Sequence, residues 1–240
     1  EQRGAFSYHY FGKGTKDYPY LISSVEDLVD LANKVNTTDS SQNQNEDGLL
    51  YRKEYYKLIK DIDFSGVTSM PTIGADTVTY TDNSLEYAFQ GDFNGDGHSI
   101  KNINKTITSL PTLRNKIGLF GMLWGDGTNN ASVYNLIVDN MNIILDTKVP
   151  NSGYVELTAG IIAGHLGENA SIRNCIVKNS SITLTSKYIL PFRNKLQIGG
   201  IVGDTSKNAT NDGWNTWTPN NNYGIENCFS NTNIIIYDDA

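Results

Sequence analysis

The chain has 240 residues and a formal net charge of −7, which argues against nucleic-acid binding because that function needs a basic face. No apolar run approaches the roughly 20 residues of a membrane-spanning helix, so we expect no transmembrane segment. With 22 glycines and 14 tyrosines, the composition favours strands and turns over a helical bundle.

Residues 1–50 are predicted to form an N-terminal region with one strand, one helix and a polar loop. Tyr20-Leu21-Ile22 has the composition of a short strand. Residues 24–36 are predicted to be an amphipathic helix, because apolar residues recur there at helical spacing. Ser23 and Glu26 have the spacing of a capping box at its start. Residues 37–50 are polar and predict an exposed loop.

A glycine-flanked apolar run recurs through residues 51–240. Its copies cover residues 117–121, 160–164 and 199–203, and the glycines at 118, 160 and 200 are 42 and 40 residues apart. A second signature places an asparagine two residues after an isoleucine or valine, and a further apolar residue follows eight positions later. Its asparagines are Asn102, Asn135, Asn174 and Asn227. A fixed period of this kind indicates one structural unit used repeatedly.

These segments predict an all-β fold: a parallel β-helix, or solenoid, with three short strands per coil. Each strand would pair with its counterpart about 4.8 Å away in the next coil. Sandwiches and four-stranded propeller blades fit this spacing less well. Each asparagine is predicted to occupy a bend. The N-terminal helix is predicted to cap the first coil, because an open end exposes strand edges. At the other end, residues 234–237 lie inside a strand, and we expect that uncapped C-terminal end to pair with a partner or to continue into further coils.

The glycine runs, the asparagine strands and the segment 89–102 resemble GLUG-motif repeat proteins. The lead-in at 14–22 and the strand at 60–64 are also similar to that group, so the resemblance covers about residues 12–237. It implies a right-handed, pectin-lyase-like β-helix. Such repeats occur mostly in secreted or surface proteins of bacteria, including gut Bacteroidetes, and beside the catalytic part of some immunoglobulin-cleaving metallopeptidases. The resemblance therefore implies an extracellular or cell-surface location, with the signal or lipoprotein anchor absent from this sequence. It implies no activity, because the motif residues look like scaffold.

The residue patterns predict no metal site, no cofactor and no catalytic residues. Asp92–Gly97 begins like an EF-hand calcium loop, but its twelfth position is apolar. The chain has three histidines in separate segments and no H-E-x-x-H motif, which argues against a metallopeptidase. Asp61 and Asp63 share one face of a strand and are interpreted as residues that flank it. Cys175 and Cys228 occupy matching repeat positions, which leaves open a disulfide or two packed thiols.

The loops that follow the glycine strands are predicted to stack along one acidic and aromatic edge of the β-helix. Long loops on a rigid scaffold commonly bind ligands, and the longest of these covers about residues 204–224. Its tryptophans suit a sugar, although the same rings could instead pack back onto the β-helix. The basic segments at 111–116 and 191–195 are expected on the opposite edge. The predicted ligand-binding residues are Trp124, His165, Glu168, Trp214, Asn215, Trp217 and Tyr223.

Two functions of different classes fit these patterns. The favoured one is a non-catalytic cell-surface or secreted β-helix protein for adhesion or glycan binding, whose partner is a host or dietary glycan or a host surface protein. The alternative is a polysaccharide lyase or hydrolase of β-helix type, or an accessory domain of a secreted enzyme such as a peptidase. A glycosidase needs two carboxyl groups at a defined separation, and a lyase needs a base and neutralisation of the uronate. The sequence favours the non-enzymatic function.

Overall fold

The computed structural model describes residues 11–37, 42–67, 70–74, 77–78, 88–110, 114–146, 155–185, 195–205 and 224–237. The helical elements in these ranges are α1 (Val25–Asn36) and a 3-10 turn at Tyr51–Lys53. The strands are β1 (Tyr20–Ile22), β2 (Tyr55–Leu58), β3 (Ile62–Asp63), β4 (Thr77–Val78), β5 (Asp92–Asn94), β6 (Ser99–Lys101), β7 (Asn104–Ile107), β8 (Arg114–Ile117), β9 (Phe120–Leu123), β10 (Ala131–Tyr134), β11 (Ile137–Asp139), β12 (Asn142–Leu145), β13 (Glu156–Gly160), β14 (Ala163–Leu166), β15 (Ala170–Arg173), β16 (Ile176–Leu184), β17 (Lys195–Gly199), β18 (Val202–Asp204), β19 (Gly224–Glu226) and β20 (Phe229–Ile236).

The strands form four sheets that run along the molecule. Sheet 1 has the order β1-β2-β5-β10-β15-β19, and sheet 2 has the order β3-β6-β11-β16-β12-β7, with β20 also paired to β16. Sheet 3 is β17-β13-β8-β4, and sheet 4 is β18-β14-β9. Strands from successive coils pair in parallel, whereas β4 pairs with β8 antiparallel. The prediction of a parallel β-helix is confirmed.

Each coil contains more strand segments than the three that the sequence pattern suggests. The coil that begins at β10 passes through β11, β12, β13 and β14 before β15 starts the next one. The predicted glycine strand is a pair of strands on either side of a sharp corner, as in β8 and β9. The predicted asparagine and Ile/Thr strands become three segments because two bends interrupt them.

The asparagine bends are confirmed by their backbone angles. Asn135, Asn174 and Asn227 have φ values of 54°, 53° and 51°, in the left-handed region that asparagine tolerates. The predicted register of the first signature is wrong, however. Ile100 lies opposite Val138, so Asn102 stacks under Asn140, whose amide donates to it at 2.8 Å. The segments that end at Asn135 and Asn140 look alike in sequence but form two consecutive bends of the same coil.

The helix α1 closes one end of the solenoid core. Its N-cap is Ser24, one residue after the predicted cap; the Ser24 hydroxyl accepts the backbone N–H of Asp27 at 3.1 Å. The Asn36 amide donates to the Thr72 carbonyl at 2.7 Å and joins the helix end to the first coil. The apolar face of the helix belongs to the same buried cluster as the interior of the coils, through Leu28, Leu31, Ala32 and Val35.

At the C-terminal end of the described chain, apolar side chains of the last strand, β20, are exposed. Phe229 and Ile236 of β20 are 60% and 63% exposed, although their counterparts in earlier coils belong to paired strands. Among the described residues, β20 pairs with β16 alone. Among the described residues, no helix is both long and apolar enough to cross a membrane.

Candidate functional site

The structure brings two of the predicted ligand-binding residues together. The rings of Trp124 and His165 stack with centroids 5.8 Å apart and an interplanar angle of 18°. Trp124 is 9% exposed and His165 is fully buried, so neither ring presents an open face to solvent. Glu168 is half-buried in the loop before β15, and its carbonyl accepts the Gly125 N–H at 2.8 Å. The other four predicted residues, Trp214, Asn215, Trp217 and Tyr223, lie outside the described residues.

Glycines allow sheets 3 and 4 to meet at a tight corner. Gly164 on β14 lies so close to β8 that a Cβ there would be 2.4 Å from the backbone nitrogen of Ile117. A Cβ on Gly203 of β18 would be 2.5 Å from the backbone nitrogen of Ala159. Since real Cβ contacts of this length do not occur, the glycines are required by close approach of two backbones.

A buried ionic cluster fills this corner; we call it the glycine-corner cluster and define it as Lys116, Glu156, His165 and Asp204. Lys116 is 1% exposed, and its Nζ lies 2.9 Å from Oε1 of Glu156. The Nε of Arg114 lies 3.6 Å from the other oxygen of Glu156. Burial raises the pKa of the Glu156 carboxyl, but Lys116, Lys195 and Arg114 together outweigh burial and lower that pKa overall. Glu156 is therefore ionised and paired at neutral pH.

His165 completes the cluster beside Asp204. Its Nδ1 lies 3.4 Å from Oδ2 of Asp204, which also accepts the Gln197 amide at 3.1 Å through its other oxygen. Burial lowers the pKa of His165 even though Asp204 opposes that shift, so the ring is neutral at pH 7. Within the described part of the chain, Nε2 of His165 has no hydrogen-bond partner.

This cluster corrects one expectation. The sequence places the acidic, aromatic loops and the basic segments on opposite edges, yet Lys116 and Lys195 come from the basic segments and face Glu156 and Asp204. The glycine corner folds the outer faces of the two sheets toward each other. Charges that are remote along the chain therefore neutralise each other in one cluster.

A second polar site lies on the outer face of sheet 1. It is a groove of about 350 Å³, and we call it the sheet-1 groove. Its floor takes one outward side chain from each of four consecutive strands, since Tyr55, Asp92, Ser132 and Ser171 are partners in register. Their chain neighbours point inward to the core. The full lining is Lys16, Lys53, Tyr55, Gln90, Gly91, Asp92, Thr128, Asn129, Asn130, Ser132, Ser171 and Arg173.

Cations lie at both ends of the sheet-1 groove. Lys16 and Lys53 line it at the first coil, and Arg173 lines it at β15. Lys53 is paired with Asp126 at 2.7 Å. Arg173 lies over the ring of Tyr134, with its Cζ 5.9 Å from the ring centroid. Within the described residues Arg173 makes no ion pair, not even with Glu226, its register neighbour on β19.

The carboxylate on the groove floor is already engaged. Oδ2 of Asp92 accepts the Ser132 hydroxyl at 2.5 Å. Burial and a hydrogen bond to Asp92 raise the pKa of Tyr134, so its phenol keeps its proton at neutral pH. Three lining residues are cationic and Asp92 is the acidic one. Because Lys53 is paired with Asp126, Lys16 and Arg173 are the cations of the described lining that make no ion pair, on a chain with a net charge of −7.

The remaining candidate residues have structural contacts. Asp61 accepts the Ser99 N–H at 2.9 Å, and Asp63 accepts the Asn102 amide at 2.8 Å. Cys175 and Cys228 are free thiols stacked in successive coils. Among the described residues, no group of three metal-ligating side chains lies close together.

Sequence reasoning did not find the sheet-1 groove, although a signal for it exists. The asparagine signature reads Ser132-Val133-Tyr134-Asn135 in one coil and Ser171-Ile172-Arg173-Asn174 in the next. Strand alternation turns the residues on either side of the apolar position outward. Reading those positions as columns down the coils gives the floor of the groove.

Comparisons with known proteins give limited similarity. No family model matches the chain. Over 134 residues, 56% of the chain, it is 30% identical to halomucin from Haloquadratum walsbyi (strain DSM 16790 / HBSQ001), and the match spans 1% of that protein. A crystal structure of a protein proposed to be an immunoglobulin A1 protease from Bacteroides ovatus is 17% identical. It is matched over 92% of this chain and 86% of that one, with a TM-score of 0.37, which is too low to support conclusions about this chain. Membership of the GLUG-motif group stays a prediction.

Proposed function

We propose that this protein is a non-catalytic β-solenoid that binds glycans through the sheet-1 groove. The observation that carries the proposal is the groove floor, which is built from four consecutive coils with hydroxyl, carboxylate and aromatic groups. Polar side chains of this kind pair with sugar hydroxyls, and the Tyr55 ring offers an apolar face. A linear ligand fits because the floor runs across the strands, at about 4.8 Å per coil.

The composition of the groove supports binding without turnover. A glycosidase uses two carboxyl groups with separate roles, whereas Asp92 is the one acidic residue in the described lining and is held by Ser132. We also propose an extracellular or cell-surface location. The similarity of more than half the chain to a segment of halomucin, a mucin by name, supports it.

Binding and turnover should be measured together on the purified chain. We expect a glycan array to give hits and a reducing-end assay with the same glycans to give no product. Tyr55→Ala should weaken binding about tenfold, equivalent to about 1.4 kcal/mol. Tyr237→Ala removes a tyrosine that is 57% exposed and follows β20, and it is the matched control with unchanged affinity.

Three results would contradict the proposal: no glycan bound, sustained turnover, or equal effects of the two tyrosine substitutions. The same assay tests the predicted tryptophan contacts. We propose that Trp214 and Trp217 add to the binding surface, so their alanine variants should lose affinity while thermal unfolding is unchanged.

A further inference from the structure

The cations of the sheet-1 groove specify the charge of its ligand. Arg173 is the strongest indication, because a guanidinium that lines a polar cavity normally pairs with a carboxylate, sulfate or phosphate. In the described structure its neighbours are the Tyr134 ring and Glu226, and it makes no ion pair with Glu226. Its donors are available to an incoming anion.

The second cation is placed at the other end of the groove. Lys16 is exposed, lies in the loop before β1 and makes no ion pair within the described residues. From Tyr55 to Ser171 the floor crosses three strand spacings, roughly 14 Å at about 4.8 Å each. Two available positive charges therefore face one linear site at separated positions.

Two of the three acids near the groove are engaged by other groups, and the third, Glu226, lies beside Arg173 without an ion pair. Asp92 accepts the Ser132 hydroxyl, and Asp126 is bound to Lys53 and to backbone N–H groups of its own loop. The Lys53 ammonium holds the pKa of Asp126 well below its usual range, which is the behaviour of a committed ion pair. These carboxylates consequently remain engaged while Arg173 and Lys16 are open to a ligand.

We propose that the sheet-1 groove binds a linear anionic oligosaccharide, with Arg173 and Lys16 each contacting a carboxylate or sulfate on separate sugar units. The inference rests on the proposed glycan-binding function and adds the charge of the ligand. Polar floor residues hold the hydroxyl groups between the two anionic contacts. Attraction of this kind strengthens at low salt, because the two cations are solvent-accessible.

Matched probes separate charge from sugar identity. Binding of an oligogalacturonate is compared with binding of the same oligomer as its methyl ester, and a heparin-derived octasaccharide supplies the sulfated arm. We expect an acidic probe to bind about tenfold or more tightly than the neutral ester, with affinity falling as salt rises. Preference for the oligogalacturonate or for the heparin fragment identifies which anion the groove takes.

Variants then assign the effect to the groove. Arg173→Gln and Lys16→Gln should each weaken binding of the preferred acidic probe about tenfold and leave binding of the neutral ester unchanged. Lys178→Gln removes the same charge from sheet 2, where Lys178 pairs with Asp139, and should have no effect. Glu226→Gln should strengthen binding, because it removes the acid beside Arg173.

The outcomes distinguish the proposed anionic specificity from the proposed glycan-binding function on which it rests. Equal binding of acidic and neutral probes, or equal effects of Arg173→Gln and Lys178→Gln, would overturn the anionic specificity and leave glycan binding standing. If no glycan binds at all, the proposed function fails and this inference fails with it.

Discussion

The glycine-corner cluster and the sheet-1 groove are both made of outward-facing polar residues on successive coils. They differ in whether their charged side chains are buried and paired. In the corner, Lys116 and Glu156 are 1% and 6% exposed and lie in contact. In the groove, Arg173 is partly exposed and has no carboxylate partner among the described residues. Removing a charge from water is costly unless it is paired. The corner charges are therefore part of the fold, whereas the groove charges are available for binding.

We expect the largest effect from breaking the ion pair between Lys116 and Glu156 in the glycine-corner cluster. Glu156→Gln leaves the Lys116 ammonium buried without its counter-charge, and we expect a loss of about 4 kcal/mol in the free energy of unfolding. Denaturant unfolding measures it. Asp96→Asn is the matched control, since Asp96 pairs with Lys57 at the surface, with a side chain 43% exposed. That change should cost less than about 1 kcal/mol.

A double replacement makes this prediction stricter. Lys116→Met with Glu156→Leu removes both charges and should recover much of the stability lost in Glu156→Gln. Equal losses for Glu156→Gln and Asp96→Asn would mean that the corner pair is no more important than a surface pair.

The second largest effect concerns the close approach of the β14 backbone at Gly164 to β8, next to the glycine-corner cluster. Gly164→Ala places a Cβ 2.4 Å from backbone that cannot rotate away, and we expect a loss of about 3 kcal/mol. Gly66→Ala is the control, because its φ is 81° but nothing lies within 4 Å of an added Cβ. It should cost about 1 kcal/mol from backbone strain alone. Similar unfolding midpoints for the two variants would contradict the close packing of the corner.

The smallest effect is a pH dependence. Burial lowers the folded-state pKa of His165, so the unfolded chain binds the proton more readily. Stability from the neutral ring is full above the unfolded pKa, about 6.5, and is lost as pH falls through the folded pKa, at most about 1.4 kcal/mol per pH unit. His165→Phe keeps an aromatic ring against Trp124 and removes the proton. It should reduce the loss of stability between pH 7 and pH 5.

Glu54 is a control whose expected pH dependence of stability has the opposite sign to that of His165. Burial raises its pKa to about 7, so its contribution is present at low pH and is lost as pH rises toward 7. Glu54→Gln should therefore make unfolding more sensitive to acid, the reverse of His165→Phe. If His165→Phe has the same pH profile as the parent chain, the ring is not held neutral by its surroundings.

The sequence predicts the features that depend on adjacent residues or recur in each repeat, but not the contacts between residues that are distant in the chain. The helix, the parallel coils and the asparagine bends follow from local spacing, because each depends on a few adjacent residues. The register of Asn102 does not, since both Asn135 and Asn140 follow a valine by two residues, and strand pairing is needed to show that Asn140 is the partner of Asn102.

The two polar sites were hidden for related reasons. The floor of the groove consists of Tyr55, Asp92, Ser132 and Ser171. Ser132 and Ser171 match each other, but Tyr55 and Asp92 do not, so a repeat search does not detect the whole column. The glycines of the corner are visible in the sequence, but nothing local shows that Gly164 lies against the backbone of β8 and brings Lys116 toward His165. Both sites come from contacts between coils about 40 residues apart.

One floor residue per coil makes the length of the groove a modular property. Inserting or deleting a whole coil changes the floor by a single step of about 4.8 Å and leaves every other pairing intact, because each coil contacts only its neighbours. Repeat number would then tune the ligand length that the groove prefers, and substitutions at one column of outward positions would tune its chemistry. Size selectivity and chemical selectivity can change independently in such a scaffold.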